Sequence, residues 1–183
     1  IAAPSASDWP EWRGPGRDGR STETNLASKW SPQGDNLAWR IPIGSRSSPV
    51  AFGNRLYLNS PVGTLENTQE RLVAIDAETG KELWSYDPKA YEDGQPPNGT
   101  GFVHRGVAAW RDGGALRIFI NSRHRLVCLD AKTGRPVESF GDKGAVDLSR
   151  GLIWEINKKH YTNTSPPVVY KDLVILGNGV GDR

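Results

Sequence analysis

A short motif that occurs twice restricts the possible folds of this 183-residue chain more than any other feature. Residues 74–84 read AIDAETGKELW and residues 128–138 read CLDAKTGRPVE, so both contain Asp-x-x-Thr-Gly followed by a basic residue. Asp and Thr side chains can bond the amides of a tight turn, and glycine supplies the positive φ that such a turn needs. The motif therefore predicts the same β-hairpin turn at two places, 54 residues apart.

Short runs of apolar or β-branched residues surround these turns and are separated by Gly, Asn, Asp or Pro. A second similarity aligns Pro49 with Pro167, 118 residues apart, which is about twice the period of the motif. No stretch shows a sustained helical period, so the sequence predicts an all-β chain of short strands. In the first unit the predicted strands are 49–51, 56–59, 72–76 and 82–86.

Four antiparallel strands in each unit of about 40 to 55 residues are typical of a β-propeller blade. Trp39, Trp84 and Trp154 are predicted to fill the wedges between neighbouring blades with their large flat rings. A β-sandwich is the alternative fold, but a sandwich has no reason to repeat Asp-x-x-Thr-Gly. The sequence therefore favours an all-β propeller built of four-stranded antiparallel blades.

Composition gives no sign of a nucleic-acid or membrane partner. The chain has 23 Lys and Arg residues against 21 Asp and Glu residues, so its net charge is only +2. A charge this small does not by itself predict binding to nucleic acid or to an acidic membrane. No run approaches the roughly 18 apolar residues of a transmembrane segment. The single cysteine, Cys128, cannot form an intrachain disulfide and is predicted to be a small buried hydrophobic residue.

Two patterns near the N-terminus favour ordinary structural roles. Residues 14–19 match the letters of G-x-G-x-x-G, but no predicted strand precedes them and no helix follows, which excludes a dinucleotide-binding fingerprint. Arg13, Arg17 and Arg20 lie near two tryptophans. A Gly-rich segment with an aspartate among its arginines is, however, typical of a solvated turn rather than of a nucleic-acid surface.

Several segments resemble a known family. Residues 74–84 resemble the tryptophan-docking repeat of quinoproteins, the eight-bladed propellers that carry pyrroloquinoline quinone (PQQ). HRGVAAW at 104–110 and FGDKGAVDL at 140–148 resemble, in order, the membrane-bound glucose dehydrogenase branch of that family. TSPPVV at 164–169 and GNGVGDR at 177–183 extend the likeness. The resemblance implies an arc of a propeller with tryptophan-docking repeats.

The resemblance also implies that the chain holds only part of an eight-bladed ring. We expect an N-terminal segment at 1–38, a first blade unit at 39–86, a second at 87–140 and the start of a third at 141–183. The sequence lacks an initial Met and stops soon after an apolar strand, so we expect a fragment of a longer protein.

In the family, a sugar or alcohol hydroxyl is oxidised by hydride transfer to PQQ. Ca²⁺ or another divalent cation polarises the quinone carbonyl, and a carboxylate removes the hydroxyl proton. The resemblance implies this activity here, with electrons passing to an external quinone or cytochrome c. It also implies a periplasmic or otherwise extracytoplasmic location, with membrane association left open, and a carboxylate base in later blades, outside this chain.

The resemblance assigns roles to individual residues. Arg105 takes the place of the arginine that binds the quinone, since its planar fork can pair with carboxylates. Thr164 corresponds to a hydroxyl that touches a quinone carboxylate, and Gly179 lets the backbone approach the flat ring closely. His104 is the candidate catalytic residue, as a proton acceptor or as a hydrogen-bonding partner of quinone or substrate. Asp182 lies where alcohol-oxidising relatives keep an acidic Ca²⁺ ligand, in a site that needs further oxygen ligands.

Each of these assignments has a structural alternative that the sequence leaves open. Arg105 also suits a surface or inter-blade salt bridge, and His104 a solvent-exposed turn. Thr164 also suits a plain strand-entry turn, and Gly179 a turn without a ligand.

Two other functions stay open as well. A non-catalytic PQQ-like propeller that serves as a protein-interaction scaffold would keep the hairpins and docking tryptophans, and a carbohydrate-binding propeller would lack redox chemistry. Methanol-oxidising members carry two adjacent cysteines where this chain has Gly-Phe-Val at 101–103, which favours the sugar-type branch. Convergence of Arg105, Thr164 and Asp182 on one central space would favour the enzyme over a scaffold.

Overall fold

The computed structural model describes residues 8–44, 46–64, 66–95, 102 and 104–178. Two four-stranded sheets, each antiparallel and in simple sequence order, are followed by a two-stranded hairpin. The first sheet contains β1 (Val50–Phe52), β2 (Arg55–Asn59), β3 (Leu72–Asp76) and β4 (Glu82–Tyr86). The second contains β5 (Ala108–Asp112), β6 (Ala115–Ser122), β7 (Arg125–Asp130) and β8 (Ala145–Asp147). The hairpin contains β9 (Val168–Tyr170) and β10 (Leu173–Ile175).

Helical structure is almost absent from the described part of the chain. Its one helical element is a single 3-10 turn, Ala90–Asp93, and it contains no helix with the length and apolar character that crossing a bilayer requires. The predictions of an all-β chain and of four-stranded antiparallel units are confirmed. The last strand of the second sheet, β8, lies past residue 140, where the sequence prediction ended the second unit.

The repeated motif forms the predicted turn in both sheets. In the first, Oδ1 of Asp76 accepts hydrogen bonds from the amide and the hydroxyl of Thr79 at 2.8 and 2.7 Å, and Gly80 has a φ of +70°. In the second, Oδ1 of Asp130 accepts the corresponding bonds from Thr133, both at 2.9 Å. Hydrogen bonding by the Thr79 hydroxyl holds the pKa of Asp76 below its ordinary value.

Two tryptophans dock on the glycines of these turns. The ring of Trp39 covers Gly80, and the ring of Trp84 covers Gly134 so closely that a Cβ at Gly134 would lie 2.5 Å from the indole. Each indole Nε1 also donates to a backbone carbonyl of its turn, at 2.9 Å for Trp39 and 3.1 Å for Trp84. Both turns are therefore covered in the same way, and the contacts of Trp84 join the first sheet to the second.

The prediction that Trp154 fills a third wedge is wrong. Its side chain is 81% exposed. The chain contains the Asp-x-x-Thr-Gly turn only at 76–80 and 130–134, and the rings of Trp39 and Trp84 cover these two turns. The Trp154 ring therefore has no third copy of the turn to cover.

The core lies between the faces of successive sheets. Tyr57 and Leu72 of the first sheet share one cluster with Ile118 and Leu129 of the second, and all four side chains are nearly or fully buried. Each such side chain stabilises the fold by roughly 1.5–3 kcal/mol relative to exposure. Cys128 is buried in a second cluster that joins the second sheet to the β9–β10 hairpin, which confirms its predicted role.

Candidate functional site

The segments that lead into β1, β5 and β9 lie side by side, and this arrangement builds the candidate site. The backbone amide of Arg105 donates to the carbonyl of Thr164 at 2.9 Å, and the amide of Ser48 donates to the carbonyl of Arg105 at 2.7 Å. Gly106 fits between Ser48 and Pro166, where a Cβ would lie 3.3 Å from the Pro166 ring. One main-chain ladder therefore connects the entrances of three successive units.

A cleft of about 680 Å³ opens beside this ladder. Arg105, Ser48 and Ser165 line it from the ladder, and Trp12 lines it from the N-terminal segment. The Arg105 side chain is exposed, so its guanidinium is free to meet a ligand in this space. The remaining lining residues are Glu11, Arg13, Arg17, Arg46, Pro166, Pro167 and Val168.

The cleft is strongly basic. Four of its lining residues are arginines and one is acidic, Glu11, whose Oε1 lies 2.5 Å from Nε of Arg17. Within the described residues, the guanidiniums of Arg13, Arg46 and Arg105 form no ion pair. Unpaired guanidiniums present planar forks that match carboxylate oxygens, so the cleft suits an anionic ligand.

The structure brings two of the predicted site residues together. Arg105 lines the cleft, and Thr164 lies beside it through the ladder bond, while the predicted contacts of both residues with the quinone stay predictions. The Thr164 side chain is half-buried and does not line the cleft, whereas the neighbouring Ser165 does. Ser165, rather than Thr164, is therefore the hydroxyl-bearing residue of this segment that lines the cleft.

His104 occupies a different environment from Arg105. Its Nε2 lies 2.7 Å from Oε1 of Glu70, and the side chains are 6% and 0% exposed. The same carboxylate accepts hydrogen bonds from Nδ2 of Asn59 at 2.8 Å and from Oγ of Ser122 at 2.5 Å. Successive side chains of an extended segment point to opposite sides, which explains why His104 is buried while Arg105 is exposed.

This burial excludes the alternative of a solvent-exposed turn histidine at position 104. The imidazole Nδ1 has no hydrogen-bonding partner within the described residues. The predicted direct contact of His104 with quinone or substrate stays a prediction, and His104 does not line the cleft.

Gly179 and Asp182 lie outside the described residues, so their predicted roles stay predictions. Within the ranges that the structure describes, no three His, Cys, Asp or Glu side chains come together as metal ligands would.

Sequence reasoning missed the basic residues that share the cleft with Arg105. Arg46 lies in the segment that leads into β1, the counterpart of the segment that carries Arg105, and aligning these segments would have pointed to it. Arg13 and Arg17 are exposed, as the solvated-turn interpretation predicts, but both also line the cleft. Glu70 was missed because no local pattern pairs it with His104.

Comparison with known proteins identifies the family of the chain. Residues 24–183 match the PQQ family described as "Glucose/ethanol/alcohol dehydrogenase, beta-propeller domain". The chain belongs to this family. Its fold is accordingly a β-propeller, and the resemblance to PQQ quinoproteins is confirmed.

Curated members of the family include both alcohol and glucose dehydrogenases. The chain is 36% identical over 148 residues to quinohemoprotein alcohol dehydrogenase ADH IIB of Pseudomonas putida, and this alignment covers 78% of the chain and 18% of that protein. It is 28% identical over 212 residues to quinoprotein glucose dehydrogenase of Gluconobacter oxydans, which covers 94% of the chain and 24% of that protein. The chain thus spans about a fifth of the length of these relatives.

A solved structure of the family agrees with the fold. The crystal structure of quinohemoprotein alcohol dehydrogenase from Comamonas testosteroni matches with a TM-score of 0.54 and 27% identity. The match covers 75% of this chain and 17% of that one.

Proposed function

We propose that the protein is a PQQ-dependent dehydrogenase that oxidises a sugar or alcohol hydroxyl. The observation that supports this most is the exposed guanidinium of Arg105, which forms no ion pair within the described residues and lines a basic cleft where three successive units meet. A scaffold that needs only the hairpins and docking tryptophans has no use for an exposed arginine at that point.

The residues of the cleft fit the cofactor that the family implies. PQQ is anionic, flat and rich in carbonyl oxygens, so it needs guanidiniums, hydroxyls and space for a planar ring system. Arg105 offers a fork for a carboxylate, and Ser48 and Ser165 offer hydroxyl groups along the same wall. The cleft volume of about 680 Å³ lies within the roughly 300–1,000 Å³ usual for ligand pockets.

PQQ, when bound, would supply a carbonyl carbon that accepts a hydride from the substrate carbon bearing the hydroxyl, while the hydroxyl itself loses a proton. The described residues bind and orient it: Arg105 pairs with an acidic group, and the ladder bonds to Ser48 and Thr164 fix the Arg105 backbone. The proposal includes Ca²⁺, with Asp182 as one ligand, and an external quinone or cytochrome c as electron acceptor. Because the chain spans about a fifth of its relatives, the base and further metal ligands belong to the rest of the enzyme in this proposal.

Reconstitution of the full-length protein with PQQ and Ca²⁺ tests the proposal. Addition of sugars and alcohols should then reduce an artificial electron-accepting dye, and Arg105→Ala should abolish this reduction at limiting PQQ. Arg20→Ala is the matched control, because Arg20 is exposed and does not line the cleft. Failure of the wild-type protein to take up PQQ in the presence of Ca²⁺ would reject the enzyme and favour the scaffold.

A further inference from the structure

We infer that the N-terminal segment 8–19 forms one wall of the PQQ cleft and that Trp12, Arg13 and Arg46 bind the cofactor together with Arg105. The inference rests on the proposed function and extends it to three residues. These residues give the cleft an aromatic face and two guanidiniums in addition to Arg105.

The segment is hydrogen-bonded to β1 and β5, the first strands of the two four-stranded sheets. Trp9 exchanges backbone hydrogen bonds with Ala51 of β1 at 2.7 and 3.0 Å, and the Pro10 carbonyl accepts from the Ala109 amide of β5 at 2.8 Å. Oδ1 of Asp8 accepts from the amide of Gly53 at 2.7 Å. The chain just before Trp12 therefore pairs with both complete sheets.

The next few residues form a turn that brings Trp12 and Arg13 to the cleft. The amide of Gly14 donates to the carbonyl of Glu11 at 2.9 Å and closes this turn. Gly14 has a φ of +73°, and its missing side chain leaves room for the Trp9 ring, which a Cβ there would meet at 2.7 Å. Since both conditions suit glycine alone, the local sequence fixes this turn.

Arg17 joins the segment to the third unit. Its Nη2 donates to the carbonyl of Val169 in β9, and its Nε pairs with Glu11. Arg17 is thus held in place and neutralises the acidic residue of the cleft. The guanidiniums of Arg13 and Arg46 keep no such partner within the described residues.

The guanidiniums of Arg13, Arg46 and Arg105 form no ion pair with the residues that the structure describes, so they repel each other around the cleft, and an anion with several carboxylates would offset that repulsion. A bidentate pair with a carboxylate is among the stronger charge-assisted hydrogen bonds. The Trp12 ring is 60% exposed at the same cleft, although a free-standing tryptophan normally buries its apolar face. A flat, multiply carboxylated ligand satisfies both features at once, and PQQ has this chemistry.

The test is the dissociation constant of PQQ for the full-length protein, measured by fluorescence titration with Ca²⁺ present. We expect Trp12→Ala, Arg13→Ala and Arg46→Ala each to weaken PQQ binding at least tenfold. Trp30→Ala and Arg20→Ala are matched controls, because Trp30 is 70% exposed and neither residue lines the cleft.

The outcomes separate the inference from the proposed function. If Arg105→Ala weakens binding while the three variants behave like their controls, the inference is overturned and the proposed function stands. If the wild-type protein binds no PQQ, the proposed function itself fails.

A second measurement needs no variant and so does not depend on folding of the mutants. Phenylglyoxal modifies accessible arginines, and mass spectrometry reads the modified positions in the wild-type protein. PQQ should protect Arg13 and Arg46 at least fivefold against modification and leave Arg20 unprotected. Equal modification of Arg13 and Arg46 with and without PQQ would overturn the inference.

Discussion

Nε2 of His104 lies 2.7 Å from Oε1 of Glu70, and His104 immediately precedes the exposed Arg105 in the chain. Glu70 accepts two further hydrogen bonds, from Asn59 and Ser122, and is fully buried. The carboxylate thus joins β2, β6 and the segment before β5. None of these residues lines the cleft, but the network holds His104, the neighbour of Arg105, in place.

Glu70→Ala should lower the free energy of unfolding by about 3 kcal/mol, because removal of one partner leaves buried polar groups unsatisfied. Urea denaturation of the wild-type and variant proteins measures the change. Glu66→Ala is the control, since Glu66 is exposed. A loss below about 1 kcal/mol at Glu70 would show that the network does not stabilise the fold.

Gly134→Ala should destabilise the protein more than Gly113→Ala. Both glycines have a positive φ, +71° and +56°, so alanine strains the backbone at either position. At Gly134 the new Cβ would also lie 2.5 Å from the Trp84 ring, whereas nothing lies within 4 Å of it at Gly113. We expect an additional loss of about 1–3 kcal/mol at Gly134, measured by urea denaturation. Equal losses would contradict tryptophan docking as the joint between units.

Asp147 should make the free energy of unfolding depend on pH. Burial raises the pKa of its carboxyl, but hydrogen bonds from Ser149 and Lys158 outweigh this and hold the pKa well below its ordinary value. A lowered pKa in the folded state stabilises the protein above the ordinary value, near 3.9, and this contribution is lost as the pH falls below it.

Asp147→Asn should therefore flatten the decline in unfolding free energy between about pH 4 and pH 2. The exposed Asp172 is the control, and Asp172→Asn should leave the decline as in the wild type. An unchanged decline in Asp147→Asn would show that these hydrogen bonds are not formed in solution. Denaturation series at stepped pH provide the measurement.

Arg105→Lys should weaken PQQ binding about tenfold although the positive charge is kept. A lysine ammonium is a point charge and cannot form the bidentate pair that a guanidinium makes with a carboxylate. Isothermal titration of PQQ into the full-length protein measures the effect. Binding as tight as that of the wild type would mean that charge alone, rather than the planar fork, recognises the ligand.

The parts of the fold that follow from local chemistry could be predicted from the sequence. Asp76 and Asp130 each bond a threonine three residues later, so four consecutive residues fix the turn. Trp39 and Trp84 were predictable from the same repeat. The wedge predicted for Trp154 is not formed, because the chain holds only two copies of the turn and the rings of Trp39 and Trp84 cover both.

The candidate site was predictable only where the family motif names a residue. Arg105, which the motif names, lines the cleft, and its contact with the cofactor stays a prediction. Trp12 and Arg13 reach the cleft through the pairing of Trp9 with Ala51, 42 residues later in the chain. His104 is buried against Glu70, which lies 34 residues earlier in the segment before β3. No local pattern reports such long-range contacts.

A crystal structure of the full-length protein grown with PQQ and Ca²⁺ would test whether this cleft binds the cofactor. We expect density for the planar cofactor in the cleft between Trp12 and Ser165, with a carboxylate paired to the guanidinium of Arg105. Cofactor density elsewhere, with this cleft holding only solvent, would contradict it.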